Sequence, residues 1–141
     1  MADPRKTINW DGVDGNYATF KIDNSTITYS ATAANGSASA GLAVTLSTDD
    51  TVAVVADGEA VIGRLENVSA DNYATVKIKG AVKLPGGTGA TLTLGAKIVG
   101  CLLVAAKGYI RIAASGTAAE HVLSRGMIVN NDDTSNVVVI L

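Results

Sequence analysis

Between Thr75 and Leu84 the chain alternates with a period of two: Val76, Ile78, Gly80, Val82 and Leu84 share one face, and Thr75, Lys77, Lys79, Ala81 and Lys83 the other. A pleated backbone sends successive side chains to opposite faces, so the stretch predicts a strand with one apolar and one wet face. The same alternation recurs at Leu42, Val44 and Leu46 and at Leu92, Leu94, Ala96 and Ile98. Val137 to Leu141 reads as a strand buried on both faces. Further strands are expected near Tyr17 to Ile22, Thr26 to Tyr29, Thr51 to Val55, Tyr109 to Ala113 and Gly126 to Val129. Val, Ile and Thr number 40 against 26 for Leu, Met, Glu, Lys and Arg, a balance that favours strand over helix. With 15 glycines cutting the chain into short segments, the expected class is all-β, a small barrel or sandwich.

One stretch competes with this reading. Thr117-Ala-Ala-Glu120 fits a capping box and Gly126 suits a helix stop, so a helix of about two turns is possible there. Against it stands an internal repeat, since Glu59-Ala-Val-Ile-Gly-Arg64 matches Glu120-His-Val-Leu-Ser-Arg125 at an offset of 61. An acidic loop and a β-rich segment follow each copy, Asp71-Asn72 then Ala74 to Ile78, and Asp132-Asp133 then Val137 to Leu141. Similar sequences favour similar structure, so strand is expected around Val122 to Val129. The repeat predicts one closed unit over residues 41–141, built from two related β-ribbons that each cover the other's apolar face. Residues 1–40 then lie outside it as an N-terminal arm and linker with a possible β-hairpin. Met1 to Asn16 is polar, and Ala31 to Ala40 is a low-complexity Ala/Ser/Gly/Asn stretch.

A chain of 141 residues can bury roughly two thirds of its unfolded surface and hold a core without staples. Cys101 is the single cysteine, so neither an internal disulfide nor a C-x-x-C site is available. No apolar run approaches the ~20 residues of a membrane helix, and Met1 to Lys6 lack the apolar stretch of a signal peptide. No membrane partner and synthesis in the cytoplasm are therefore expected. The net charge is -2 with no basic block, which makes nucleic acid an unsuitable partner.

Catalytic constellations are hard to assemble from these residues. His121 is the only histidine and stands beside apolar positions, with Ala60 in the matching place of the first repeat. Cys101, in Gly-Cys-Leu-Leu-Val, reads as a small core residue. Pro85-Gly-Gly-Thr-Gly89 lacks the following Lys and helix of a phosphate cradle and reads as a turn. Asp11-Gly-Val-Asp-Gly15 and Asn130-Asn-Asp-Asp133 lack the alternating ligands of a calcium loop and read as β-turns. The chain is thus expected not to be an enzyme and to carry no cofactor or metal. Arg64 and Arg125 occupy equivalent places of the repeat inside apolar segments. They predict structural pairing with an acidic residue such as Glu66, Asp71 or Asp132, in a neighbouring strand or subunit. A functional anion site is the other reading of the pair.

Gly41-Leu-Ala-Val-Thr-Leu46 and Ala60-Val-Ile-Gly-Arg-Leu65 resemble a pattern in tailed-phage capsid decoration, or cement, proteins. In these a Gly-led strand precedes a Val-Ile-Gly-Arg-like strand, an acidic or Gly turn and a closing hydrophobic strand. Asp57-Gly58, Val61 to Leu65, Asn72 and Val76 to Ile78 fit it, and Val122 to Arg125 through Val137 to Leu141 repeat it less closely, Ser124 and Gly126 breaking the motif. The resemblance covers residues 41–141 and implies a β-tulip-like barrel that assembles as a homotrimer on the outer capsid surface of the virion. There it would bridge neighbouring major capsid proteins. On this reading Arg5, Lys6, Trp10 and Tyr17 are the candidate capsid contacts. Trp10 anchors the arm on the coat or caps the chain's own barrel. A surface or fibre β-module, pilin-like or carbohydrate-binding, is the alternative function.

Overall fold

The computed structural model describes residues 15–89 and 91–141, and strand dominates them at 45% against 7% helix. Five strands close a barrel: β1 (Asn16–Ile22), β2 (Ala43–Thr48), β3 (Thr51–Val54), β4 (Gly63–Val68) and β5 (Tyr73–Lys79), in the order β1-β3-β2-β4-β5. Its seams are antiparallel except β1 with β3, which is parallel. A second lobe follows. β6 (Ala81–Leu84), β10 (Val137–Ile140) and β9 (Met127–Asn130) form a sheet in the order β6-β10-β9, and β7 (Ile98–Leu103) pairs with β8 (Ala106–Ile112). One short helix, α1 (Ala118–Leu123), lies between β8 and β9.

Two apolar clusters hold these parts together. Val44, Val52, Leu65, Ala74 and Val76 fill the barrel, whereas Leu84, Ile98, Ile110, Ile128, Val137 and Val139 fill the second lobe. Ala43, Val55 and Val61 belong to the second cluster although they come from the barrel half. Strand β2 is therefore buried on both faces at Ala43 and Val44, which send their side chains to different cores. Each fully buried Val, Leu or Ile contributes roughly 1.5–3 kcal/mol, so this shared strand joins the lobes firmly.

The closed unit differs from the expected one. It spans residues 16–79, not 41–141, because β1 fills the gap between β3 and β5. The division at residue 40 falls accordingly. Ala31 to Ala40 is folded rather than a linker: a 3-10 turn at Ala34–Gly36 lies so close to β4 that a Cβ on Gly36 would collide with the Val68 carbonyl. The alternation from Thr75 to Leu84 is two strands in two sheets, since Gly80 at φ +96° turns the chain between them. Thr26 to Tyr29 and Leu92 to Ala96 are not strands.

The expected strand at Val122 to Arg125 is also corrected. Glu120 to Leu123 is helical, whereas Glu59 to Ile62 is not helical and leads into β4, so the repeated hexapeptides adopt different backbones. Ala118, Ala119 and Glu120 are good helix formers, and no sheet partner reaches Val122 and Leu123, which are exposed. Thr117 makes no side-chain cap. Glu120 instead accepts the Ala114 N–H and pairs with Arg111, fixing the helix start from outside.

Candidate functional site

Strands β1 and β5 carry nearly the same sequence, Asn16-Tyr-Ala-Thr-Phe-Lys-Ile22 and Asn72-Tyr-Ala-Thr-Val-Lys-Ile78. They pair antiparallel, with Tyr17 opposite Lys77, Thr19 opposite Thr75 and Lys21 opposite Tyr73. Cross-strand partners share a face, and Ala74 and Val76 point into the barrel, so these six side chains decorate its outside. The ribbon is thus nearly palindromic, with a Tyr–Lys pair at each end. Only one end is covered by the second lobe: Lys77 is 8% exposed, whereas Lys21 is exposed.

The covered end is a cleft of about 360 Å³. Strand register builds its floor, because Arg64 on β4 lies opposite Lys77, extending the row Tyr17, Lys77, Arg64 across three strands. Val82 and Lys83 of β6 and Asn136 before β10 form the facing wall. Lys77 Nζ donates to the Ala81 carbonyl at 2.8 Å and stands 6.0 Å from the centre of the Tyr17 ring. Arg64 Nη1 donates to Glu66 Oε2 at 2.8 Å, and Arg64 Nε is buried without a hydrogen-bond partner among the described residues. Two glycines give the cations room. A Cβ on Gly15 would come within 2.6 Å of Lys77 Cε, and one on Gly41 within 3.4 Å of Arg64 Nη2.

Among the described residues Arg64, Lys77, Lys83 and Glu66 are the charged groups that line this cleft, and Lys83 is itself engaged by a partner. Like charges directly opposite on neighbouring strands repel, and Glu66 engages only Arg64 of the facing pair. Lys77 has more donors than a single carbonyl uses.

Of the sequence-predicted residues, Arg5, Lys6 and Trp10 lie outside the described residues. Tyr17 and Arg64 meet in the cleft, and Glu66 is the partner of Arg64, through one hydrogen bond rather than two. Among the described residues Arg125 is not paired with an acid. Its guanidinium donates to the carbonyls of Ile62 and Ile78, tying the second lobe to the barrel. The two-pronged carboxylate contact occurs at Arg111 instead, with Glu120 at 2.8 and 2.6 Å and Asp57 on Nε at 3.0 Å. These bonds from Arg111 hold the Glu120 carboxyl down at about 2. His121 is exposed, its Nε2 3.3 Å from the Ser115 carbonyl. Cys101 is buried, and burial pushes its thiol up.

Lys77 was legible only as one of several wet-face lysines, because its cover comes from Ala81 to Lys83, folded back by the turn at Gly80, together with Asn136. The near-identity of residues 16–22 and 72–78 was the available signal, since two like strands that pair antiparallel bring Tyr and Lys together at both ends. No protein-family model matches the chain, and no curated protein or solved structure matches it.

Proposed function

We propose that the chain is a capsid decoration, or cement, subunit of a tailed phage that binds the outside of the shell and bridges neighbouring major capsid proteins. The observation that supports this most is the meeting of two features at one place. The chain enters the barrel at Gly15, against Lys77, so residues 1–14, with Arg5, Lys6 and Trp10, are joined to the body at the cleft. Arm and cleft can then act as one binding face. Internal pressure loads a filled shell, and a homotrimer adds contacts that must all break before the coat subunits separate. A footprint of ~800 Å² per protomer is ordinary for a protein partner, and rigid linkage of three multiplies its lifetime.

Tyr17 and Tyr73, exposed on the same outer face, favour a second reading as a carbohydrate-binding surface or fibre module. Mass spectrometry of purified virions separates the two: the chain is expected among the virion proteins, and its absence there overturns the cement reading. Light scattering tests the trimer, expected at three times 14.3 kDa, about 43 kDa. Deleting residues 1–14 is expected to weaken retention on expanded capsids, and unchanged retention removes the arm from the mechanism.

A further inference from the structure

We infer that the β7–β8 hairpin tip of one copy seats in the mouth of the barrel of the next, a head-to-tail contact between copies of this chain. The contact deepens the assembly reading and rests on it only for the number of copies, three.

The mouth lies where β2 runs past the filling of the barrel. Val44 and Leu46 share a face of β2, yet Val44 is fully buried in the barrel and Leu46 is 52% exposed. Leu46, the partly buried Phe20 and the Asp49-Asp50 turn between β2 and β3 line a groove of about 510 Å³. Among the described residues neither aspartate has a side-chain hydrogen bond or an ion pair. The neighbouring cation, Lys21, stands on the outer face of the barrel. Apolar surface and unpaired acid therefore share one groove.

The tip has the matching chemistry. Leu103 is 41% and Val104 85% exposed, and Lys107 beside them is exposed. Val104 takes the first place of a two-residue turn at φ 59°, where Asn or Gly is the usual choice. A β-branched apolar residue held there in water gains little within its own chain and gains burial in a partner. The tip is also pre-shaped, because the Thr88 N–H donates to the Leu102 carbonyl at 2.7 Å and Thr88 Oγ1 accepts the Val104 N–H. Docking then orders little that is not already fixed. Lys107 meeting Asp49 and Asp50 adds opposite charge, which steers and registers the contact.

The tip does not fill the mouth of its own chain, whose lining comes from the barrel alone while Val104 stays in solvent. Two different patches make a heterologous contact, and such contacts close into rings. A tip of a few residues covers well under the ~800 Å² of an ordinary pairwise interface. Two copies make one such contact and three copies in a ring make three, so the ring outcompetes the dimer.

Sedimentation velocity of the full-length protein tests the inference, with monomer at 14.3 kDa, a species at about 43 kDa and little dimer between them expected. Val104→Asn suits the left-handed turn and removes the apolar knob, so it is expected to weaken association about tenfold or more. Asp49→Lys with Asp50→Lys is expected to do the same by placing like charges together. Lys107→Glu is expected to weaken association up to about fivefold, and to restore it when combined with the two aspartate changes. Amide hydrogen exchange of the wild type is expected to slow at residues 46–50 and 103–107 as concentration rises, which decides the matter even where a variant fails to fold. Wild-type protein that stays monomeric at millimolar concentration, an assembly indifferent to Val104→Asn and to the paired aspartate changes, or protection that arises elsewhere would each overturn the inference. Presence in virions with an assembly that ignores these variants sinks the tip contact alone; an assembly that they break, on a chain absent from virions, sinks the cement reading alone.

Discussion

Asp23 organises the turn that leaves β1. Its carboxylate accepts the N–H groups of Ser25, Thr26 and Ile27 and the hydroxyls of Ser25 and Thr26. Burial pushes its pKa up, but these hydrogen bonds outweigh burial and bring it from the ordinary 3.8 to about 2. A depressed folded value means the carboxylate's contribution is complete above 3.8 and fades as pH falls toward 2. Asp23→Ala should cost about 1 kcal/mol in urea unfolding at neutral pH, and the difference from wild type should shrink through that acid window. Val104 is the opposite case. It turns the β7–β8 hairpin at φ 59° while 85% exposed, so its β-branched side chain is strained and stabilises little in return. Val104→Asn should raise stability by about 1 kcal/mol in the same assay. Neither role was legible in advance: Asp23 lies in an Asp-Asn-Ser-Thr run that any turn could use, and nothing local marks Val104 as left-handed. Lys21 and Lys77 show the limit most plainly, because one motif yields an exposed residue and a buried one. Burial depends on what the rest of the chain lays over the strand.

Among the elements, α1 depends most on one contact. Six residues are too few to hold a helix by propensity, and no residue of α1 is buried. What anchors it is Glu120, gripped by Arg111 of β8 and by the Ala114 N–H. Arg111→Ala should speed amide hydrogen exchange across residues 118–124 while the barrel strands keep their protection. Acid should act alike, since the Glu120 carboxyl is lowered from 4.5 to about 2 and the tether loosens as pH falls through that range. Protection of α1 that survives both would mean another contact holds it. The strands were more legible than the helix. Period-two alternation marked Leu42 to Leu46 as strand, and the unbroken apolar run marked Val137 to Leu141 as one buried on both faces, as β10 is over Val137 to Val139. The alternation failed at Gly80, where a residue without a side chain fits the apolar face of a strand and the turn between two sheets equally well. The hexapeptide repeat misled for a related reason: in its second copy only Arg125 meets a strand, bridging Ile98 of β7, and over Glu120 to Leu123 the local preference for helix prevails.

On the scale of the whole molecule the lobes meet along β2, whose faces serve both cores, and at Arg125, which reaches two barrel carbonyls. The cleft lies on this seam, so its shape depends on both lobes being in place. An all-β barrel was legible from composition and alternation, but which strands close it was not. The N-terminal strand enters between β3 and β5 through long-range pairing that no local pattern encodes. Binding to the coat is the claim on which the functional account stands, and sedimentation of the full-length protein with expanded, undecorated phage shells tests it most directly. The account predicts saturable co-sedimentation that deleting residues 1–14 diminishes. Protein that stays in the supernatant at every concentration, with the shells intact and the barrel folded, would contradict it.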